Sequence, residues 1–428
     1  MMVKTDYKRK KATFLSWKIK LLLLIIYFLA IFILEPLFRN DLMEFSIDFI
    51  EYIQDLLGQN VLQIAAIVSH LGSNLVFSII FLITFSYTNI FKSYLLVIIV
   101  TFTNFLIGTL NLFYQDARPF YFNNNKIIPY SCKMSFGNPS AYSLSSMTFY
   151  LSLWHFSIQS KNLRNRNILK GFLLVTVMII NIIIMISEIS SGAQSINQVL
   201  FGGMIGLGLY FTLFSLINIH SNDSKMLLSI ITMKTFNYFL LNLFMSLLAL
   251  IVIYLNDPLN NETRNTWTEL IKNKCGYLYE NTLFEKNDYL LLTSVFSNIF
   301  AFIGLKHEFI FTFKSSVNNW TKYNFSLEVK EVDSLFSSID FTRDTQWNHN
   351  SVKISCLRLF VILIISFGII SPFFLICYDE SFWLVLLVKI LLPFSFVLYF
   401  LFFIVKLVLK FLRLVNFSSN DLLTSLDM

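Results

Sequence analysis

The sequence predicts an all-α protein that threads a membrane many times. Of its 428 residues 56% are hydrophobic and only 14% charged. Apolar runs of about 18 residues or more recur along the chain, long enough to cross hydrocarbon as helices that satisfy their own backbone hydrogen bonds. The same composition excludes the soluble classes. The 47 Phe residues read as packing against lipid rather than as a ligand-stacking surface. Membrane lipids are the expected partners. Nucleic acid is not expected, and no protein partner can be named from the sequence.

The first segment, 1–18, is basic: Lys4, Lys8, Arg9, Lys10, Lys11 and Lys18 lie in it, with Lys20 just beyond. Such a density holds an amino terminus in the cytoplasm. The apolar run that follows is as long as a full span and has no small-residue cleavage pattern, so it is an anchor rather than a removed signal. Ile19–Leu37 is the first span, and 41–57 reads as a separate interfacial helix. There Asp41, Glu44, Asp48, Glu51 and Asp55 recur every three or four residues opposite Leu42, Phe45, Phe49, Ile53 and Leu56, an acidic face for water and an apolar face for lipid. Further spans follow at Val61–Ser86, Ser93–Phe113, Ala141–Phe156, Leu169–Ser187 and Val199–Ile219. The region 220–409 adds four more, Phe236–Tyr254, Asp288–Phe309, Ile354–Cys377 and Phe382–Leu409, before a tail at 410–428. The basic loops Lys161–Lys170 and Lys314–Lys353, and the tail with Lys410 and Arg413, fall on the same side as the amino terminus. Both termini are therefore expected to be cytoplasmic in a multi-pass protein of the endoplasmic reticulum, another endomembrane or the plasma membrane.

Three short motifs lie at span ends on the opposite face. Arg118-Pro119 closes one apolar run, Phe136-Gly137-Asn138-Pro139-Ser140-Ala141-Tyr142-Ser143 opens the next, and Ser187-Glu188 precedes Gln194 and Gln198 at the start of another. Their order and spacing resemble the type 2 phosphatidic acid phosphatase family, the lipid phosphatases and glucose-6-phosphatase-like enzymes, with degenerate catalytic motifs. The family pattern is K-x6-R-P, then P-S-G-H, then S-R-x5-H-x3-D. The resemblance covers roughly Ile19–Ile219 and implies a six-span helical core at 19–219, followed by the four-span extension.

By position, the resemblance implies that Asn111 stands where the family has its Lys, and that Arg118 and Ser140 are retained as a phosphate-binding remnant. Ala141 replaces a Gly, and Tyr142 replaces the His that protonates the leaving group. Glu188 replaces an Arg, Gln194 the nucleophilic His and Gln198 the orienting Asp. An amide has no basic nitrogen lone pair and cannot form a phosphoenzyme. Glu188 sets a carboxylate where the family needs a cation, and two unit charges about 4 Å apart interact by roughly 4 kcal/mol at an effective dielectric of 20. An Arg118–Glu188 ion pair inside the former site is the expected consequence. Of the five His, only His70 lies near the outer half of a span, and a lone intramembrane His reads as a helix-contact hydrogen-bonder. No His, Cys or carboxylate spacing suits a metal, and no cofactor is implied.

Two further features bear on topology. Cys132 and Cys275 both fall in outer loops, leaving open a disulfide or two free thiols. Asn261-Glu262-Thr263 is a glycosylation sequon on the same side, whereas Asn319 and Asn324 head sequons on the cytoplasmic side. Three functional readings follow: a catalytically inactive family member kept for lipid binding or interaction, an active lipid-phosphate phosphatase of altered mechanism, and a lipid or solute transporter. The first ranks highest because the reactive groups are missing, and the last ranks third because ionisable residues in mid-span are few.

Overall fold

A computed structural model describes residues 2–87, 90–121, 127–133, 135–158, 166–216, 261–275, 293–307, 352–375 and 392–412, with isolated positions between 240 and 251. Every regular element among them is helical. They are α1 (Met2–Leu56), α2 (Gln59–Ser69), α3 (Asn74–Tyr87), α4 (Ile90–Tyr114), α5 (Ala141–Ile158), α6 (Asn167–Ser190), α7 (Ile196–Phe211), α8 (Asn261–Cys275), α9 (293–307), α10 (Val352–Leu375), α11 (Leu392–Phe402) and α12 (Ile404–Phe411). Among the described residues four helical stretches are long and apolar enough to cross a membrane: Lys18–Leu56, Lys92–Tyr121, Asn167–Ser190 and Ile196–Phe214. The pair Gln59–Gly72 and Asn74–Ser86 makes a fifth if its 51° bend is one broken span. The expected span Phe236–Tyr254, His220, His349, Asn319 and Asn324 lie outside the described residues or in short fragments of them.

α1 departs from expectation. The anchor and the interfacial segment 41–57 form one helix, unbroken through Pro36. Proline removes one backbone bond, but Arg39 reaches back one turn to clasp Glu35 through Nε at 2.8 Å and Nη2 at 2.6 Å, bracing the turn that Pro36 weakens. Lys18–Leu56 is 39 residues, about 58 Å at 1.5 Å per residue, against a hydrocarbon core of about 30 Å. Lys18–Leu56 is therefore longer than a single crossing needs. Asp41, Glu44 and Asp48 stay exposed, as do Phe45 and Phe49, while Ser46 and Ile50 are buried.

The contacts divide the chain into two units. One comprises Met1–Phe77, Phe102–Asn222 and Leu248–Leu291; the other comprises Ser78–Thr101, Asp223–Leu247 and Leu292–Met428. In the first, α5 is the inner helix, buried on nearly every side despite its serines. Ser145, Thr148 and Ser152 hydrogen-bond to carbonyls one turn back, which satisfies their hydroxyls within the helix, and Thr148 Oγ1 also lies 3.2 Å from Gly206 O of α7. Small side chains let α7 approach closely. A Cβ on Gly202 would lie 2.7 Å from Ser140 O, and one on Gly206 2.6 Å from Leu144 O. In the second unit Phe81, Phe85 and Tyr94 gather around Phe402, Gly304 abuts Tyr399, and His307 Nδ1 lies 3.1 Å from the Tyr399 hydroxyl.

Candidate functional site

The three motifs converge at one end of the first unit because each sits at a helix terminus. Gln115, in the left-handed region at φ 48°, turns the chain out of α4. A short 3₁₀ turn, Pro119–Tyr121, follows Arg118. The second motif leads into α5, and the turn 191–195 joins α6 to α7. The C-terminal half of α1 ties these loops together. Ser46 Oγ accepts from Ile196 N at 3.0 Å, and Gln54 exchanges bonds with Ile128 N and O at 3.0 and 2.9 Å.

Arg118 is retained, but its donors are spent. The residue is 1% exposed. Nε donates to Ser135 O at 2.6 Å, Nη1 to Ala193 O at 2.9 Å, and Nη2 to Ser135 Oγ at 2.7 Å and Phe136 O at 3.0 Å. Gln194, oriented to suit its neighbours, accepts the remaining Nη1 proton at 2.5 Å and donates to Gly137 O at 3.0 Å and Gln198 Oε1 at 2.5 Å. A guanidinium has five N–H donors, and all five have protein acceptors. None is left for a phosphate.

Glu188 is fully buried and occupies the other half of the site. Its Oε2 accepts from Ser140 Oγ at 2.5 Å and Ser143 Oγ at 2.9 Å, and its Oε1 accepts from Lys133 Nζ at 2.6 Å. Ser140 Oγ also accepts from Ser143 N at 3.2 Å. The expected Arg118–Glu188 ion pair is not formed: the carboxylate's cation is Lys133. Backbone carbonyls of 135, 136 and 193 capture the guanidinium first, and a lysine on the loop before the second motif supplies the counter-charge instead.

The remaining positions are structural. Asn111 lies 2.8 Å from Asn138 O and 3.0 Å from Pro139 O, so its amide nitrogen faces them. Ala141 starts α5 and packs against the cluster of Ile31, Leu144 and Phe201. The Tyr142 hydroxyl is 3.2 Å from His70 Nδ1, and its ring lies 3.4 Å beneath Lys133 Nζ. His70 reaches it because the chain breaks between α2 and α3, where a Cβ on Gly72 would meet Tyr142 Cβ at 2.8 Å. Gln198 Oε1 accepts from Ser195 N at 3.2 Å, and Nε2 donates to Ala117 O at 2.8 Å. It thereby caps α7 and ties the third motif to the first. Cys132 and Cys275 are joined in a disulfide with Cα atoms 6.1 Å apart. Asn261 is the first residue of α8.

Sequence reasoning missed Lys133, Ser143 and a second polar knot beside the site. There Arg39 Nη1 donates to Asp116 Oδ1 at 3.1 Å, and Asn138 Nδ2 donates to Glu35 Oε1 at 2.6 Å and Asp116 Oδ2 at 2.7 Å. The available signals were the position of Lys133 beside a cysteine and the i, i+3 spacing of Ser140 and Ser143. Among the described residues no group of three or more His, Cys, Asp or Glu is placed to hold a metal.

Similarity to one family model agrees with the motifs. Residues 90–221 match the sequence model of the PAP2 superfamily. A crystal structure described as the first transmembrane PAP2 type phosphatidylglycerolphosphate phosphatase from Bacillus subtilis is similar at a TM-score of 0.40 and 19% identity, covering 46% of this chain and 96% of that one. No curated protein sequence matches.

Proposed function

We propose that this PAP2 superfamily membrane protein is a non-catalytic member, retained as a lipid-binding or interaction protein. The observation that carries the reading is the Glu188 carboxylate. It accepts from two serine hydroxyls and an ammonium, donors of the kind that would otherwise hold phosphoryl oxygens. An internal anion in that place excludes a substrate anion by charge and by volume. Gln194 and Tyr142, where the family resemblance sets the nucleophile and the acid, offer neither a basic imidazole nor a ready proton donor. The exposed apolar faces of α1 and α6, with Leu22, Leu23, Phe172 and Val175 among them, suit contact with lipid. A site facing away from the cytoplasm accords with the Cys132–Cys275 disulfide, because such bonds persist in oxidising compartments.

Phosphate release by the purified protein in detergent tests this directly. Phosphatidate, sphingosine phosphate and glucose 6-phosphate are expected to give no release above a no-protein blank. Release that disappears in Arg118→Ala would refute the reading.

A further inference from the structure

We infer that α8 and its disulfide are the brace that holds Lys133 in the site, so that the segment after the six-span core keeps the phosphate cradle closed. The inference rests on the reading of Glu188 as an internal occupant and assigns its control. Lys133 lies in an irregular loop, with no helix to direct its side chain. A lysine so placed would ordinarily extend its ammonium into water, because removing the charge from water is costly. Here the side chain is 9% exposed and bonded to a carboxylate that is 0% exposed. Something must hold the backbone while that bond forms.

The holding contacts come from two directions. The Tyr121 hydroxyl lies 3.0 Å from the carbonyl oxygens of both Lys133 and Ser135 and shares its proton between them. Cys132, the residue before Lys133, is joined to Cys275, the last residue of α8. Consecutive Cα atoms are about 3.8 Å apart, so fixing Cys132 confines Lys133 to the mouth of the site. α8 presents one face to this region, since Trp267, Ile271, Lys274 and Cys275 fall at helical spacing. The Trp267 ring is 5.6 Å from that of Tyr121, Lys274 Nζ donates to Phe120 O at 3.3 Å, and Ile271 is buried. α8 therefore grips both the turn that carries Tyr121 and the loop that carries Lys133.

The test is the rate at which a small amine-acetylating reagent labels Lys133 in the full chain in detergent, read by mass spectrometry against Lys20. In the oxidised protein Lys133 should label at least about tenfold more slowly than Lys20. Cys275→Ser, which leaves the 127–133 loop unaltered, should remove most of that protection. Reduction of the already folded protein with a water-soluble phosphine should do the same, which covers failure of the variant to fold. Protection kept in Cys275→Ser and after reduction, but lost in Glu188→Gln, would assign Lys133 to its ion pair alone and overturn the brace. Phosphate release from the same samples separates the two claims. Release by the unaltered protein refutes the non-catalytic reading, whereas unchanged labelling refutes the brace.

Discussion

The two halves of the site bury opposite charges by different means. Arg118 is satisfied almost wholly by main-chain carbonyls and neutral groups, whereas Glu188 is satisfied by side chains, one of them a cation. A charge bonded to backbone fixes where loops run. A charge bonded to side chains fills a cavity that those side chains could offer to something else. Arg118 has therefore become architecture, while Glu188 behaves as a resident ligand, and the two should respond differently to substitution.

The largest effect is expected at Arg118. Arg118→Met keeps an apolar stem but strips donors from several buried acceptors at once, at a cost on the order of 3–5 kcal/mol. Thermal unfolding in detergent should show it, and Arg118→Lys should recover little because one ammonium cannot replace a five-donor fork. A loss below about 1 kcal/mol would break the comparison on this side, since a spent guanidinium cannot be that dispensable.

A double-mutant cycle should sharpen the contrast. Glu188→Ala and Lys133→Ala are each expected to cost about 3 kcal/mol, because each leaves the other charge buried alone. The double variant should cost less than their sum, with a coupling of up to about 3 kcal/mol. The Arg118–Glu188 cycle, in which the two charges interact through space without a direct bond, should give a coupling clearly smaller than that of Lys133–Glu188. Equal couplings in the two cycles would mean that the halves act as one network.

This division was only partly legible in the sequence. Arg118-Pro119, the segment 136–143 and Ser187-Glu188 marked the segments that meet at the candidate site, because their spacing sets them at helix ends. Lys133 was not legible, since its placement depends on a crosslink spanning 143 residues and on a loop without periodicity. The partners of Arg118 were not legible either, because backbone carbonyls leave no mark on residue identity. The amphipathic spacing of 41–57 reads as a separate interfacial helix, but it does not register that α1 runs on through Pro36, where Arg39 and Glu35 brace the turn. The short, polar character of α5 hid how deeply it is buried, because hydropathy does not register hydroxyls bonded to their own helix.

A smaller effect is expected at Ser143. Ser143→Ala removes one of the three donors to Glu188 while leaving Ser140 and Lys133, at a cost of roughly 1.5 kcal/mol, the low end for a hydrogen bond to a charged group. Its phosphate-release blank should stay flat, because the carboxylate keeps its cation. New phosphate release in this variant would mean that the occupant is loosely held.

The smallest effect is expected at Gln198, where the family resemblance sets the carboxylate that orients the nucleophile. Here the amide caps α7 through Ser195 N, donates to Ala117 O and accepts from Gln194. Each bond serves the Arg118 half of the site. Gln198→Ala should therefore cost about 1 kcal/mol, the usual worth of a helix cap, with α7 otherwise held by its packing on α5. Coupling follows from the same geometry. Through Gln194 the residue is linked to Arg118, so the Gln198–Arg118 cycle should show at least about 0.5 kcal/mol of interaction, while Gln198–Glu188 should be additive. Additivity with Arg118 together with coupling to Glu188 would reverse the assignment of Gln198 and place it in the occupied half. Unfolding curves for the three single and two double variants decide it.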